Sequence, residues 1–85
     1  MKDCNSEHRY SKKFEALPDD QGGAGRHRCA GCAYDRGFDD GRERREKLNI
    51  DLESLPESQA GTVRHKSPHA AYALGYFDGV KASYK

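Results

Sequence analysis

The densest run of apolar positions in this chain lies near its C-terminal end. Ala70, Ala71, Tyr72, Ala73, Leu74, Tyr76, Phe77 and Val80 leave few polar places between them. Ser67 suits an N-cap and Pro68 suits the first helical position, so the pattern predicts a helix beginning there. A helix that is apolar nearly all round belongs in the centre of a fold or in an interface. A first helix is predicted from about Ala30 to Lys47. Its second half, Arg42-Glu43-Arg44-Arg45-Glu46-Lys47, mixes charges at i,i+3 and i,i+4 spacing. That run reads as a solvated face in preference to a nucleic-acid contact. Between the helices Leu48, Ile50 and Leu52 alternate with polar residues, which predicts a short extended segment. Residues 1–13 are polar and read as a mobile arm unless Cys4 or His8 ties it down.

The two helical regions belong to a repeat. Residues 17–41 and 55–79 align without a gap at an offset of 38, and 11 of the 25 positions are identical. Each segment opens with Leu-Pro (Leu17-Pro18, Leu55-Pro56), passes Gln21 or Gln59 and Gly23 or Gly61, and reaches Arg26-His27 or Arg64-His65. Inside the helices the shared residues are Ala33, Tyr34, Gly37, Asp40 and Gly41 against Ala71, Tyr72, Gly75, Asp78 and Gly79. Ala-x3-Gly-x3-Gly places three small residues in one helical stripe. Interior glycine costs a helix about 1 kcal/mol relative to alanine, so its retention in both copies calls for a compensating contact. The expectation is a pseudo-twofold pair of helices crossing at these stripes, with Tyr34 and Tyr72 beside the crossing. The alternative is that Gly41 and Gly79 are C-caps, which the charged run beyond Gly41 argues against. The fold class is thus mainly α, with room for short strands. An arm over residues 1–13 precedes one domain, residues 14–85, built of two loop-helix units.

Composition narrows what such a domain can do. With 34% apolar and 34% charged residues and a mean hydropathy of −1.10, the core is small and gains from a staple. A net charge of +1 argues against a strongly basic surface while allowing a local basic patch. The N-terminal residues have no apolar stretch, and the sequence contains no membrane span. Three cysteines without a secretion signal point to a reducing compartment, hence a cytoplasmic location, where close cysteines more often bind metal than form disulfides.

Cys29 and Cys32 form a Cys-x2-Cys pair at the first turn of the first helix, a spacing that turns two thiolates toward one tetrahedral ion. The helix N-terminus favours the thiolate. Two completions are open. In the preferred one Cys4 and His8 close the site, giving Cys-x3-His-x20-Cys-x2-Cys, a layout similar to that of short zinc fingers. In the other His65 or His69 reaches across from the second copy, with His27, and one zinc clamps the halves together. A thioredoxin-type redox role lacks its strand-helix context. The second copy has Ser67 and Ala70 where the first has cysteines, so there is one such site at most.

Arg26-His27-Arg28 and Arg64-His65-Lys66 each precede a helix N-terminus, where free amides, the dipole and the cations make a candidate anion or nucleic-acid site. The competing and preferred reading is that His27 and His65 bond Gln21, Gln59 or loop carbonyls and brace the fold. The Gly22-Gly23-Ala24-Gly25 loop lacks the Lys-Ser/Thr of a P-loop. Asp40 and Asp78 tempt an acid/base role, but pairing with Arg26 or Arg64, or simple exposure, is the plainer expectation. The string Leu-Pro-x-x-Gln-x-Gly-x-x-Arg-His-Lys/Arg-x-x-x-x-Ala-Tyr-x-x-Gly resembles a module of small uncharacterised bacterial proteins in which Cys-x-x-Cys follows Arg-His. The resemblance implies a bacterial origin and no activity, and the second copy departs from it in lacking both cysteines. The reading as a whole is a small module stapled by one zinc ion that binds nucleic acid or another protein, including a second copy of itself through the apolar helix 69–80. The alternative is an enzyme or enzyme subunit that handles a phosphate substrate through the Arg-His steps.

Overall fold

In the computed structural model, residues 4, 8, 11–19, 28–45, 55–56, 58 and 66–84 are described. A 3-10 turn, Lys12–Ala16, precedes two helices, α1 (Ala30–Arg42) and α2 (Pro68–Ser83). Among the described residues there is no strand; an isolated antiparallel bridge joins Asp19 and Lys66. The extended segment expected around Leu48, Ile50 and Leu52 lies outside the described residues. The mainly helical expectation holds, and α1 and α2 pack directly on one another.

Helix α2 begins as its sequence dictates. The Ser67 hydroxyl accepts from the Ala70 amide at 3.0 Å, and Pro68 occupies the first helical position without loss of a bond. In α1 the same place is held by Cys29, whose side chain makes no capping bond.

The small-residue stripes form the crossing. A methyl group built on Gly37 would stand 2.9 Å from the carbonyl carbon of Tyr72, and one on Gly75 would stand 2.9 Å from that of Tyr34. One turn on, Gly41 faces the Tyr76 carbonyl carbon at 2.8 Å and Gly79 faces that of Phe38 at 2.9 Å. Real Cβ atoms do not approach backbone so closely, so each of these four places admits only hydrogen. The register advances in the same direction along both helices, so they run parallel. Every contact in the set has a partner at the 38-residue offset. Ala33 and Ala71 are buried at the start of the two stripes.

The tyrosines complete the pair. Tyr34 donates its hydroxyl to Asp78 Oδ2 at 2.5 Å, and Tyr72 donates to Asp40 Oδ2. The aspartates thus answer the opposite tyrosines, with Lys81 3.3 Å from Asp78 and Arg45 3.4 Å from Asp40, while Arg26 and Arg64, the partners expected from the sequence, lie outside the described residues. The tyrosine–aspartate bonds join residues more than 30 positions apart and leave no local mark on the sequence.

The Leu-Pro segments exchange between halves in the same way. Leu17 and Leu55 are buried in the core. The Cys29 amide donates to the Pro56 carbonyl at 2.7 Å, and the Ser67 amide donates to the Pro18 carbonyl at 2.7 Å. Each helix start is thus satisfied from the other copy's opening segment. Phe14, on the 3-10 turn, is fully buried and meets the Tyr34 ring edge-on with centroids 5.7 Å apart. Burying such a side chain stabilises by about 1.5–3 kcal/mol.

Helix α1 ends at Arg42, five residues before the expected Lys47. Arg44 takes a left-handed conformation (φ 54°), its amide bonds the Gly41 carbonyl at 2.9 Å, and the Arg45 amide bonds the Asp40 carbonyl at 3.1 Å. This is a Schellman stop built on arginine where glycine is usual. A non-glycine residue there costs about 1–2 kcal/mol. Contacts to α2 hold it: the Arg44 guanidinium bonds the Ser83 hydroxyl at 2.9 Å and stacks 3.8 Å from the Tyr84 ring.

Candidate metal centre

Four sequence-expected residues converge at the N-terminal end of α1. Cys29 precedes the helix, Cys32 lies in its first turn, and Cys4 and His8 come from the N-terminal segment. Their ligand atoms all lie within 4.8 Å of one another. His8 Nε2 stands 3.1 Å from Cys4 Sγ, 3.5 Å from Cys29 Sγ and 3.4 Å from Cys32 Sγ, and the Cys4 and Cys32 sulfurs are 3.5 Å apart. A tetrahedral ion with Zn–S of about 2.3 Å and Zn–N of about 2.0 Å spaces its donors about 3.5–3.8 Å apart. The cluster can therefore hold a metal ion with small adjustments of its side chains. All three cysteines are free thiols.

The fold supplies each position for a reason. Cys29 is anchored by its amide bond to Pro56, and two residues of the first turn carry the chain to Cys32 on the same side. His8 lies over that turn because residue 31 is glycine. A methyl group on Gly31 would come within 2.8 Å of the His8 ring at Cγ. The ring's other nitrogen, Nδ1, is 2.8 Å from Asp35 Oδ2. Cys4 is buried and belongs to the core cluster with Phe14, Leu17 and Tyr34.

The thiols are strongly unequal in proton affinity. Hydrogen bonding from Cys32 pulls the Cys29 thiol down to about 5, against the burial that opposes it. The same bond, with burial, pushes Cys32 upward. A bound metal would displace the thiol protons, since thiolates are the ligand form.

Other candidates lie elsewhere. His69 is exposed on α2 and stands outside the cluster. His27 and His65, with Arg26 and Arg64, fall outside the described residues. Of the cations beside them, Arg28 donates to the Leu55 carbonyl at 3.0 Å. Lys66 donates to the Glu15 carbonyl at 3.1 Å and pairs with Asp19 at 3.2 Å. Arg28 and Lys66 thus bond backbone carbonyls of the opposite half, whereas the bracing role expected of His27 and His65 falls outside the described residues. Sequence reasoning passed over Gly31 and Asp35. Comparison of the two copies carried a signal, because Gly31 and Asp35 are replaced by His69 and Ala73 where Cys29 and Cys32 become Ser67 and Ala70.

Among the described residues no helix is long and apolar enough to cross a membrane. Compared with protein-family models, curated proteins and solved structures, the chain matches none.

Proposed function

We propose that this chain is a small binding module whose fold is stapled by one zinc ion held by Cys4, His8, Cys29 and Cys32. The observation that carries the reading is the mutual approach of three sulfurs and one imidazole nitrogen, all within 4.8 Å. Thiolate-rich donors with one imidazole suit zinc, and four protein ligands fill a tetrahedral shell. A filled shell leaves no place for substrate or activated water, which favours a structural ion over a catalytic one. The staple joins the N-terminal segment to the start of α1, where a small core most needs help. Cobalt(II) tests the ligand set: three thiolates give intense charge-transfer bands at one equivalent, and Cys4→Ser should weaken them by about a third. A cobalt complex without thiolate bands contradicts it.

The partner this reading favours is another protein chain, with a second copy as the first to test. Phe77 (59% exposed) stands on α2 and Tyr84 (69% exposed) caps its end, whereas Arg28, Lys66, Arg45 and Lys81 are engaged with carbonyls or carboxylates. Light scattering of the wild-type chain and of Phe77→Ser tests this. A dimer that becomes a monomer on substitution supports it. A monomer that binds single-stranded or duplex nucleic acid at low salt would return the module to a nucleic-acid role.

A further inference from the structure

We infer that Asp35 is the positioning residue of the metal centre, orienting His8 over a floor that Gly31 leaves open. This rests on the metal-centre reading above and adds two residues to it, neither of them a ligand.

Imidazole offers two nitrogens, and a metal site works only if the ring presents the correct one. His8 Nδ1 lies 2.8 Å from Asp35 Oδ2, while Nε2 faces the sulfurs of Cys4, Cys29 and Cys32 at 3.1–3.5 Å. With Asp35 accepting from Nδ1–H, the proton is held on the far side of the ring and the Nε2 lone pair points at the donor cluster. The carboxylate also adds negative charge beside a bound cation. Gly31 makes the posture possible, because any Cβ there would strike the ring near Cγ.

The internal comparison points the same way without using distances. Positions 29, 31, 32 and 35 all face the centre, and all four differ in the other copy, which reads Ser67, His69, Ala70 and Ala73. Helix α2 keeps the shared stripe and tyrosine-aspartate bond, yet shows neither sulfur nor carboxylate on that turn, and His69 stands exposed. Cys-x-Gly-Cys-x-x-Asp is therefore the site's own signature within α1. The carboxylate of Asp35 is 60% exposed, so it contributes little to the core.

The test uses the full chain carrying Asp35→Ala, Asp35→Asn or Asp35→Glu, with zinc affinity measured against a chromogenic chelator and the cobalt(II) ligand-field bands recorded. The expected result is a loss of about 10–100-fold in affinity for Asp35→Ala and Asp35→Asn, with shifted cobalt bands and partial rescue by Asp35→Glu. Urea unfolding in EDTA should be the same for all four proteins, because the carboxylate acts through the bound ion. Wild-type and Asp35→Ala affinities within about twofold of each other would overturn the assignment while leaving the metal centre intact. So would an equal loss of stability in EDTA, which would mark Asp35 as an ordinary surface brace. A wild-type chain that takes up neither metal sinks the metal centre itself.

Discussion

Tyr34 of α1 donates its hydroxyl proton to Asp78 of α2 at 2.5 Å, and the Tyr72–Asp40 bond repeats the relation in reverse. Burial, with the bond to Asp78 and its charge, pushes the Tyr34 phenol up to about 12. Asp78 is held below the usual carboxylate range, first by the Tyr34 hydroxyl and then by Lys81.

The signs give a pH prediction. Tyr34 binds its proton more tightly in the folded chain, so its contribution is complete below the unfolded value near 10 and disappears as pH rises through about 12. Asp78 is the opposite case: its contribution is complete above the ordinary carboxylate value and disappears as pH falls through the lowered one. Tyr34→Phe removes the first dependence and lessens the second. Urea unfolding of the two proteins should converge between pH 10 and 12, and identical pH profiles would show that the bond contributes nothing.

The glycine stripe makes a prediction opposite to helix propensity. In an ordinary exposed helix, glycine to alanine stabilises by about 1 kcal/mol. Here Gly37→Ala and Gly75→Ala push a methyl into the backbone of Tyr72 or Tyr34, and overpacking of this kind costs about 1–3 kcal/mol or more. Because the contacts are reciprocal, the two substitutions should destabilise to a similar degree by thermal unfolding. A rise in melting temperature for either would remove the close crossing.

Gly31→Ala separates metal binding from helix stability. The methyl group meets the His8 ring rather than backbone, and the first turn of α1 gains a better helix former. The chain in EDTA should therefore be as stable as wild type or slightly more so, while zinc affinity falls by about tenfold or more as His8 is displaced. Unchanged affinity, read by chelator competition, would mean that His8 does not sit over Gly31 when the ion is bound.

Much of this was legible in the sequence because its signals are local or doubled. Cys4, His8, Cys29 and Cys32 are rare residue types at ligand spacing, and Ser67-Pro68 starts a helix by chemistry that acts within one turn. The glycines at 37, 41, 75 and 79 could be interpreted because each appears twice against its own propensity. Phe14 was hidden because it lies ahead of the repeat among Lys12, Lys13 and Glu15, where no second copy marks it. The end of α1 was hidden because Arg44, not glycine, takes the left-handed position, held by Ser83 and Tyr84 from a helix nearly 40 residues away. The choice of Tyr72 and Tyr34 as partners for Asp40 and Asp78 is a property of the crossing. The Leu-Pro pairs repeat because their carbonyls satisfy the opposite helix start, which becomes visible only when the halves are together.

The most direct measurement is metal content of the purified chain followed by unfolding with and without chelator. The account predicts about one equivalent of zinc per chain and a marked loss of thermal stability when a chelator removes it, restored by zinc and abolished by Cys29→Ser with Cys32→Ser. Less than about half an equivalent, together with an unfolding transition that a chelator does not move, would contradict the zinc staple.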